Sequence, residues 1–316
     1  MNRPINRIAI IGTGVIGASW AALFLAKGLK VAATDPAPGA EKALRHYVET
    51  AWPALEQLGL TPGASQSNLT FTTDLATCVA DADLVQENGP ERIDFKQNLY
   101  GQLDELLPPD VIIASSSSGL TMSSIQEGCK LHPERCVIGH PFNPPHLIPL
   151  VEIVGGSKTS EDTIERAAQF YTSIGKRTVR LHKELSGHVA NRLQAAVMRE
   201  VYYLVGEGVL SVADVDTALC WGPGLRWGIM GQVLLNHLGG GEGGMGHFLD
   251  QFTGPITAWW KALGSPELTP ELRQKLIDGV HAEVGSRSIQ ELAEERDRIL
   301  LGLLALRTGP GKSNPA

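Results

Sequence analysis

The chain has 316 residues, 43% of them hydrophobic and 19% charged, with a formal net charge of −7. Such a length predicts about two globular domains of roughly 100–200 residues each, and an acidic chain without a Lys/Arg cluster excludes nucleic acid or an anionic membrane as its main partner. Residues 1–6 carry no hydrophobic signal region, and no run approaches the roughly 20 apolar residues of a membrane span. Four cysteines (Cys78, Cys129, Cys136, Cys220) form neither a C-x-x-C pair nor a zinc-ligand spacing, which predicts a reduced, cytoplasmic protein without a metal.

Residues 8–11 read as a short apolar strand running into Gly12-Thr13-Gly14-Val15-Ile16-Gly17, and 18–27 read as a helix closing at Gly28. In a G-x-G-x-x-G of this kind the first glycine permits the tight turn and the second a close backbone approach to a pyrophosphate. The third allows close helix–strand packing, and the helix N-terminus offers free N–H groups to the phosphates. A second strand, 30–34, ends in Asp35, eighteen residues after Gly17. An acid there bonds the ribose hydroxyls and repels a 2′-phosphate, so the predicted cofactor is NAD rather than NADP.

Short apolar strands alternate with helical stretches from there on. A helix is expected over 41–57, strands at 69–71, 84–86 and 111–114, and a helix over 93–107 stopped by Pro108-Pro109. Further strands are expected at 136–139, 150–154 and 178–181. This pattern predicts an α/β fold with a doubly wound, mostly parallel sheet, whose ligands sit beyond the carboxyl ends of the strands. Near Glu184 the pattern turns wholly helical. Val189, Leu193, Val197, Val201 and Leu204 form a helical stripe, Ser211 caps a further helix with Asp214 in its first turn, and a glycine-rich stretch follows at 239–246. The expected division is a nucleotide domain over 1–184 and an all-helical domain over 185–316, with a disordered tail from about 309.

His140 follows the 136–139 strand, and Pro141, Pro144 and Pro145 stiffen the connection after it. Glu152 lies inside an apolar strand, where a carboxylate is costly unless paired. Pairing with His140 would fix the imidazole tautomer and make its other nitrogen a general base. A solvated Glu beside a structural His is the alternative, and the other eight histidines read as surface or packing residues. The run 115–118 follows a strand end, where a serine could bond a substrate oxygen or simply make a turn; no G-x-S-x-G surrounds it. Asn191, on the first turn of the long helix, reads by itself as a cap or surface residue. Arg226 stands between Trp221 and Trp227, residue types that hold a carboxylate and a quaternary ammonium, or that pack two domains together.

Taken together, the nucleotide fingerprint, the H-P-F-N-P run at 140–144 with Glu152 twelve residues after His140, and the S-G-H-V-A-N-R-L run at 186–193 resemble the 3-hydroxyacyl-CoA dehydrogenase family. That resemblance covers nearly the whole chain. It implies NAD in the first domain, a His140–Glu152 catalytic dyad, Ser118 and Asn191 on the substrate oxygen, and a homodimer formed mainly through the helical domain. Asn143 matches the family's H-x-x-N-P motif, and Glu87, just after the fourth strand, matches a position near the nicotinamide end of the cofactor. The run 222–231, with Arg226 where the acyl-CoA enzymes have Pro-Met-Gly-Pro, is instead similar to the branch that oxidises small hydroxy acids such as L-gulonate and L-carnitine. The runs 240–249, 288–297 and 35–40 most closely resemble the members that act on L-carnitine. The resemblance therefore implies oxidation of a zwitterionic hydroxy acid, with Arg226 on its carboxylate and Trp221, Trp227 or another aromatic facing its trimethylammonium. A 3-hydroxyacyl-CoA substrate, or a crystallin-like structural role with bound NAD(H), are the alternatives.

Overall fold

The computed structural model describes residues 4–308, and the tail expected from about 309 lies outside them. Two compact units emerge. One comprises residues 4–192 with 300–308, the other Leu193–Ile299.

The first unit opens with β1 (Arg7–Ile11), α1 (Val15–Ala26), β2 (Lys30–Thr34), α2 (Ala40–Leu58), β3 (Leu69–Thr72) and α3 (Leu75–Val79). It continues with β4 (Leu84–Glu87), α4 (Ile93–Leu106), β5 (Ile112–Ser115) and α5 (Met122–Ile125). Last come β6 (Cys136–Pro141), β7 (Leu150–Gly155), α6 (Glu161–Ser173) and β8 (Arg177–Leu181). The eight strands form one sheet in the order β3-β2-β1-β4-β5-β6-β7-β8. Every neighbouring pair is parallel except β6 and β7, which run antiparallel. The doubly wound, mostly parallel sheet is therefore as expected. Helices α3, α5 and α6 were not among the expected elements; two are only one turn long, too short for a periodic signal.

Each face of the sheet has its own core. Ile8, Ile10, Val31, Ala33, Leu84, Ile112 and Val151 pack with Trp20, Phe24 and Tyr171 on one side. Ala9, Ile11, Val85, Ile113 and Ile138 pack with Tyr100, Leu103 and Met122 on the other. Period-2 alternation along strands buried on both sides divides the apolar residues in this way. Helix α1 is buried from Gly17 to Ala26, which explains why it is apolar on all sides rather than striped.

In the helical unit, α7 (Ala190–Gly206) is followed by α8 (Val212–Trp221), α9 (Pro223–Trp227), α10 (Gln232–Gly239), α11 (Gly244–Ala262), α12 (Pro270–Val284) and α13 (Ile289–Thr308), with α7 and α13 reaching into the first unit. The Ser211 cap forms as expected, its hydroxyl accepting from the Asp214 N–H. The glycine-rich stretch 239–246 is mostly helical, spanning the end of α10, a 3₁₀ turn and the start of α11. The unit's buried cluster is small, comprising Val205, Val212 and Val215. Leu193, from the expected stripe, is 65% exposed.

Candidate active site

The glycine turn joins β1 to α1 under tight steric limits. Gly12 has a φ of 81°, and a Cβ on Gly17 would lie 1.9 Å from the Gly12 carbonyl oxygen. Gly14 instead faces open space and is the N-cap of α1, with no side chain to cap the helix. Free N–H groups and the helix dipole there make a phosphate site. Asp35, at the end of β2, accepts from the Thr13 N–H at 2.8 Å and the Thr13 hydroxyl at 3.2 Å, and its other oxygen accepts from the Ala37 N–H at 2.9 Å. Oδ1, with one bond, keeps further acceptor capacity for a ribose hydroxyl. The residues present therefore fit a dinucleotide. Val15 is exposed and Ile16 half-buried on the first turn of the same helix.

The histidine stands inside β6 rather than after it. His140 and Glu152 are directly opposed residues of the antiparallel β6–β7 pair. The His140 Nδ1–H donates to Glu152 Oε2 at 2.8 Å, and both side chains are buried. The other oxygen, Oε1, accepts the backbone N–H groups of Val189 and Ala190 at 2.8 and 3.0 Å. Burial by itself would raise the Glu152 carboxyl, but the bonds from His140 and these two N–H groups outweigh it and hold the group below the usual carboxylate range. Glu152 is thus a paired carboxylate, not the solvated edge-strand alternative, and by taking the Nδ1–H it fixes the tautomer in which the other nitrogen of a neutral His140 is the acceptor. These two N–H bonds also tie 189–190 to the sheet, and the compact unit they belong to runs to Arg192.

The four serines separate by partner. Ser115 donates to Glu87, Ser116 donates to Asn88 and accepts from Trp20 and Gln86, and Ser117 donates to Glu91. Ser118 is half-buried, and its hydroxyl makes no bond among the described residues. Glu91 braces the same loop through the N–H groups of Gly119 and Leu120. Asn191 lies on the first turn of α7, half-buried, and is not a cap. Asn143 is exposed and joined to Pro144 by a cis peptide.

Glu87 departs from its expected place. It is the last residue of β4, fully buried, with Lys96, Ser115 and the Gly89 N–H saturating its carboxylate at 2.6–2.9 Å. A carboxylate at the end of a central strand must be neutralised internally, so its side chain braces two loops at the end of β4. Two of the other histidines pack inside the fold. His188 is buried, packs its ring 5.0 Å from that of His140, and bonds the Ser117 carbonyl. His146 is also buried, bonded to Ser19. Both are packing residues, one of the two expected kinds; the one available signal for His188 beyond that was its place beside Gly187 at a helix start.

Arg226, Trp221 and Trp227 gather on and beside the short helix α9 in the helical unit, all exposed. Trp227 is fastened by its indole N–H to Gln232 at 2.5 Å, while the Arg226 guanidinium bonds nothing among the described residues. No cluster of metal-binding side chains occurs among the described residues, and no helix there is long and apolar enough to cross a membrane.

Known proteins resemble the chain over nearly its whole length. The 3-hydroxyacyl-CoA dehydrogenase NAD-binding domain matches residues 7–185 and the C-terminal domain of that family matches 187–275. An L-carnitine dehydrogenase of Pseudomonas sp is 48% identical over 98% of this chain and 96% of its own length. One from Bacillus cereus is 47% identical over 96% of this chain and 92% of its own. Among solved structures, the NAD⁺-dependent dismutase 5-formyl-3-hydroxy-2-methylpyridine 4-carboxylic acid 5-dehydrogenase superposes with a TM-score of 0.83 at 32% identity, covering 97% of this chain and 99% of that one. With the glycine fingerprint, the sheet topology and both domain matches in one polypeptide, the chain belongs to the 3-hydroxyacyl-CoA dehydrogenase family of NAD-dependent dehydrogenases.

Proposed function

We propose that the chain oxidises the 3-hydroxyl of L-carnitine to 3-dehydrocarnitine. The observation that carries the chemistry is the Glu152-backed His140; the substrate is supported by the near-half identity to L-carnitine dehydrogenases along almost the whole chain. NAD, when bound, supplies the hydride acceptor. Gly12, Thr13, Gly14, Val15, Ile16 and Gly17 hold its pyrophosphate, Asp35 holds its ribose and Asn143 lines the same end of the sheet. His140 takes the hydroxyl proton on its bare nitrogen as the carbinol carbon loses hydride. Glu152 stabilises the imidazolium that forms, and its two backbone donors keep it aimed. Ser118, free of the bonds that hold its three neighbours, donates to the developing carbonyl oxygen together with Asn191. Arg226 pairs with the carboxylate, and Trp221 or Trp227 faces the trimethylammonium.

We further propose that residues 1–184 form the nucleotide domain and that the helical domain closes on the substrate and carries a homodimer interface. Support comes from the small Val205–Val212–Val215 cluster and the many exposed apolar side chains elsewhere in the same unit, among them Val233, Leu238, Trp259 and Trp260. Four free thiols suit the reducing cytoplasm.

NADH formation from L-carnitine, D-carnitine, L-gulonate and a 3-hydroxybutyryl-CoA tests the reading. Turnover confined to L-carnitine supports it. Turnover of the CoA ester alone would discard the substrate and keep the dyad, and tight NADH binding without any turnover would favour a structural protein.

A further inference from the structure

His188 carries features that folding alone does not call for. It is the one non-glycine residue with a left-handed backbone among the described residues, at a φ of 46°. Its side chain is 1% exposed. Its Nε2 stands 2.9 Å from the Ser117 carbonyl oxygen. A carbonyl only accepts, so the proton is on Nε2 and Nδ1 is a bare lone pair. That Nδ1 is buried without a hydrogen-bond partner. Strained backbone and an unsatisfied buried acceptor both oppose folding, and a Phe would fill the same space without the second.

The surroundings show what these features accompany. The ring lies 5.0 Å from the ring of His140, tilted by 50°. The left-handed turn at His188 sends the next two N–H groups, those of Val189 and Ala190, onto Glu152. The Nε2 bond holds the carbonyl immediately before Ser118. One residue thus touches the serine loop after β5, the histidine on β6 and, through its following peptides, the carboxylate on β7.

We propose that His188 is the positioning residue of the dyad, a neutral imidazole that locks the Ser118 loop, His140 and the turn holding Glu152 into one frame. The inference rests on the reading of His140 as the base. Ser117 is the acceptor its ring bonds, so only the Nε2–H tautomer is satisfied and the ring has one orientation. Neutrality matters because His140 must accept the substrate proton, and a second cation at this distance would oppose it. The titratable groups facing His188 are His140 on β6, Glu152 on β7 and Glu91 beside the serine loop. Burial pushes its imidazole down, and His140 adds to this; the Ser117 carbonyl, Glu152 and Glu91 pull the other way without reversing it.

The test uses full-length His188→Phe and His188→Gln, with His140→Ala assayed alongside. Phe keeps a ring and loses the donor; Gln keeps a donor for Ser117. The expected result for His188→Phe is a kcat lowered about 10–100-fold, as misplacement of catalytic groups produces, with an NADH dissociation constant unchanged within about twofold. His188→Gln should recover kcat to within about fivefold of the parent chain. Imidazole nitrogen NMR of the ligand-free protein should show His188 neutral with its proton on Nε2 and staying so to lower pH than an ordinary imidazole, and that signal, assigned by its loss, should vanish in His188→Phe. A parental kcat in His188→Phe, or a Gln variant no better than Phe, would overturn the proposal. Should His188→Phe not fold, the Gln variant and the NMR tautomer decide, and an Nδ1–H or charged His188 at neutral pH overturns it. An inactive His140→Ala beside a fully active His188→Phe discards this inference alone, whereas an active His140→Ala discards the dyad reading with it.

Discussion

Glu152 faces His140 directly across the antiparallel β6–β7 pair, with 2.8 Å between Oε2 and Nδ1. Removing either partner should therefore act on turnover more than on binding. His140→Ala should lower kcat by about 10²–10⁴, the usual contribution of a general base. Glu152→Gln keeps the shape and loses the charge, and should lower kcat while leaving the NADH dissociation constant near its parental value. Steady-state NADH formation and a fluorescence titration check both.

Asp35 holds the glycine turn through Thr13 and stands where a ribose would lie. Asp35→Ala removes a charge-assisted acceptor worth about 1.5–3 kcal/mol, so KM for NAD should rise about 10–100-fold. Discrimination against NADP should weaken too, because the repelling carboxylate is gone. Parallel kinetics with the two cofactors measure this.

Arg226 has a free guanidinium beside two exposed tryptophans. Arg226→Ala should raise KM for L-carnitine at least about tenfold, as expected on losing a charged bond, and leave NADH affinity unchanged. Unaltered carnitine kinetics would remove Arg226 from the substrate site.

Lys96 and Glu87 form a fully buried ion pair under the serine loop, 2.7 Å apart. Lys96→Met strands the carboxylate and should cost about 3–5 kcal/mol of stability. The double variant Lys96→Met with Glu87→Leu should recover part of that loss, and denaturant unfolding compares the two.

Acid should destabilise the fold in two stages. His188 is lowered in the folded state, so its contribution is complete above the unfolded value of about 6.5 and is lost as pH falls from there through the lowered folded value. Glu152 is also lowered, so its contribution is complete above about 4.3 and is lost further down, as pH falls through its folded value. His188→Phe should abolish the first stage and keep the second, which melting temperatures across pH resolve.

Period and punctuation in the sequence determined a great deal here. Strand β2 falls at 30–34 as the apolar run indicated, and the glycine spacing with Asp35 marked the nucleotide turn. These are local properties, because a 2-residue or 3.6-residue repeat and a φ-permissive glycine act over a few neighbours. The cost of burying Glu152 even suggested its partner, since a carboxylate in an apolar strand must find one. Which partner it found was decided by register. Only the antiparallel turn between β6 and β7 sets residues twelve apart opposite each other. Tertiary structure also decided that Glu87 points inward to Lys96, that three of four adjacent serines are bonded within the fold, and that His188 reaches His140 from 48 residues away. Such contacts depend on how separate elements pack, and a side chain's neighbours across a sheet leave no periodic trace in the chain that carries it.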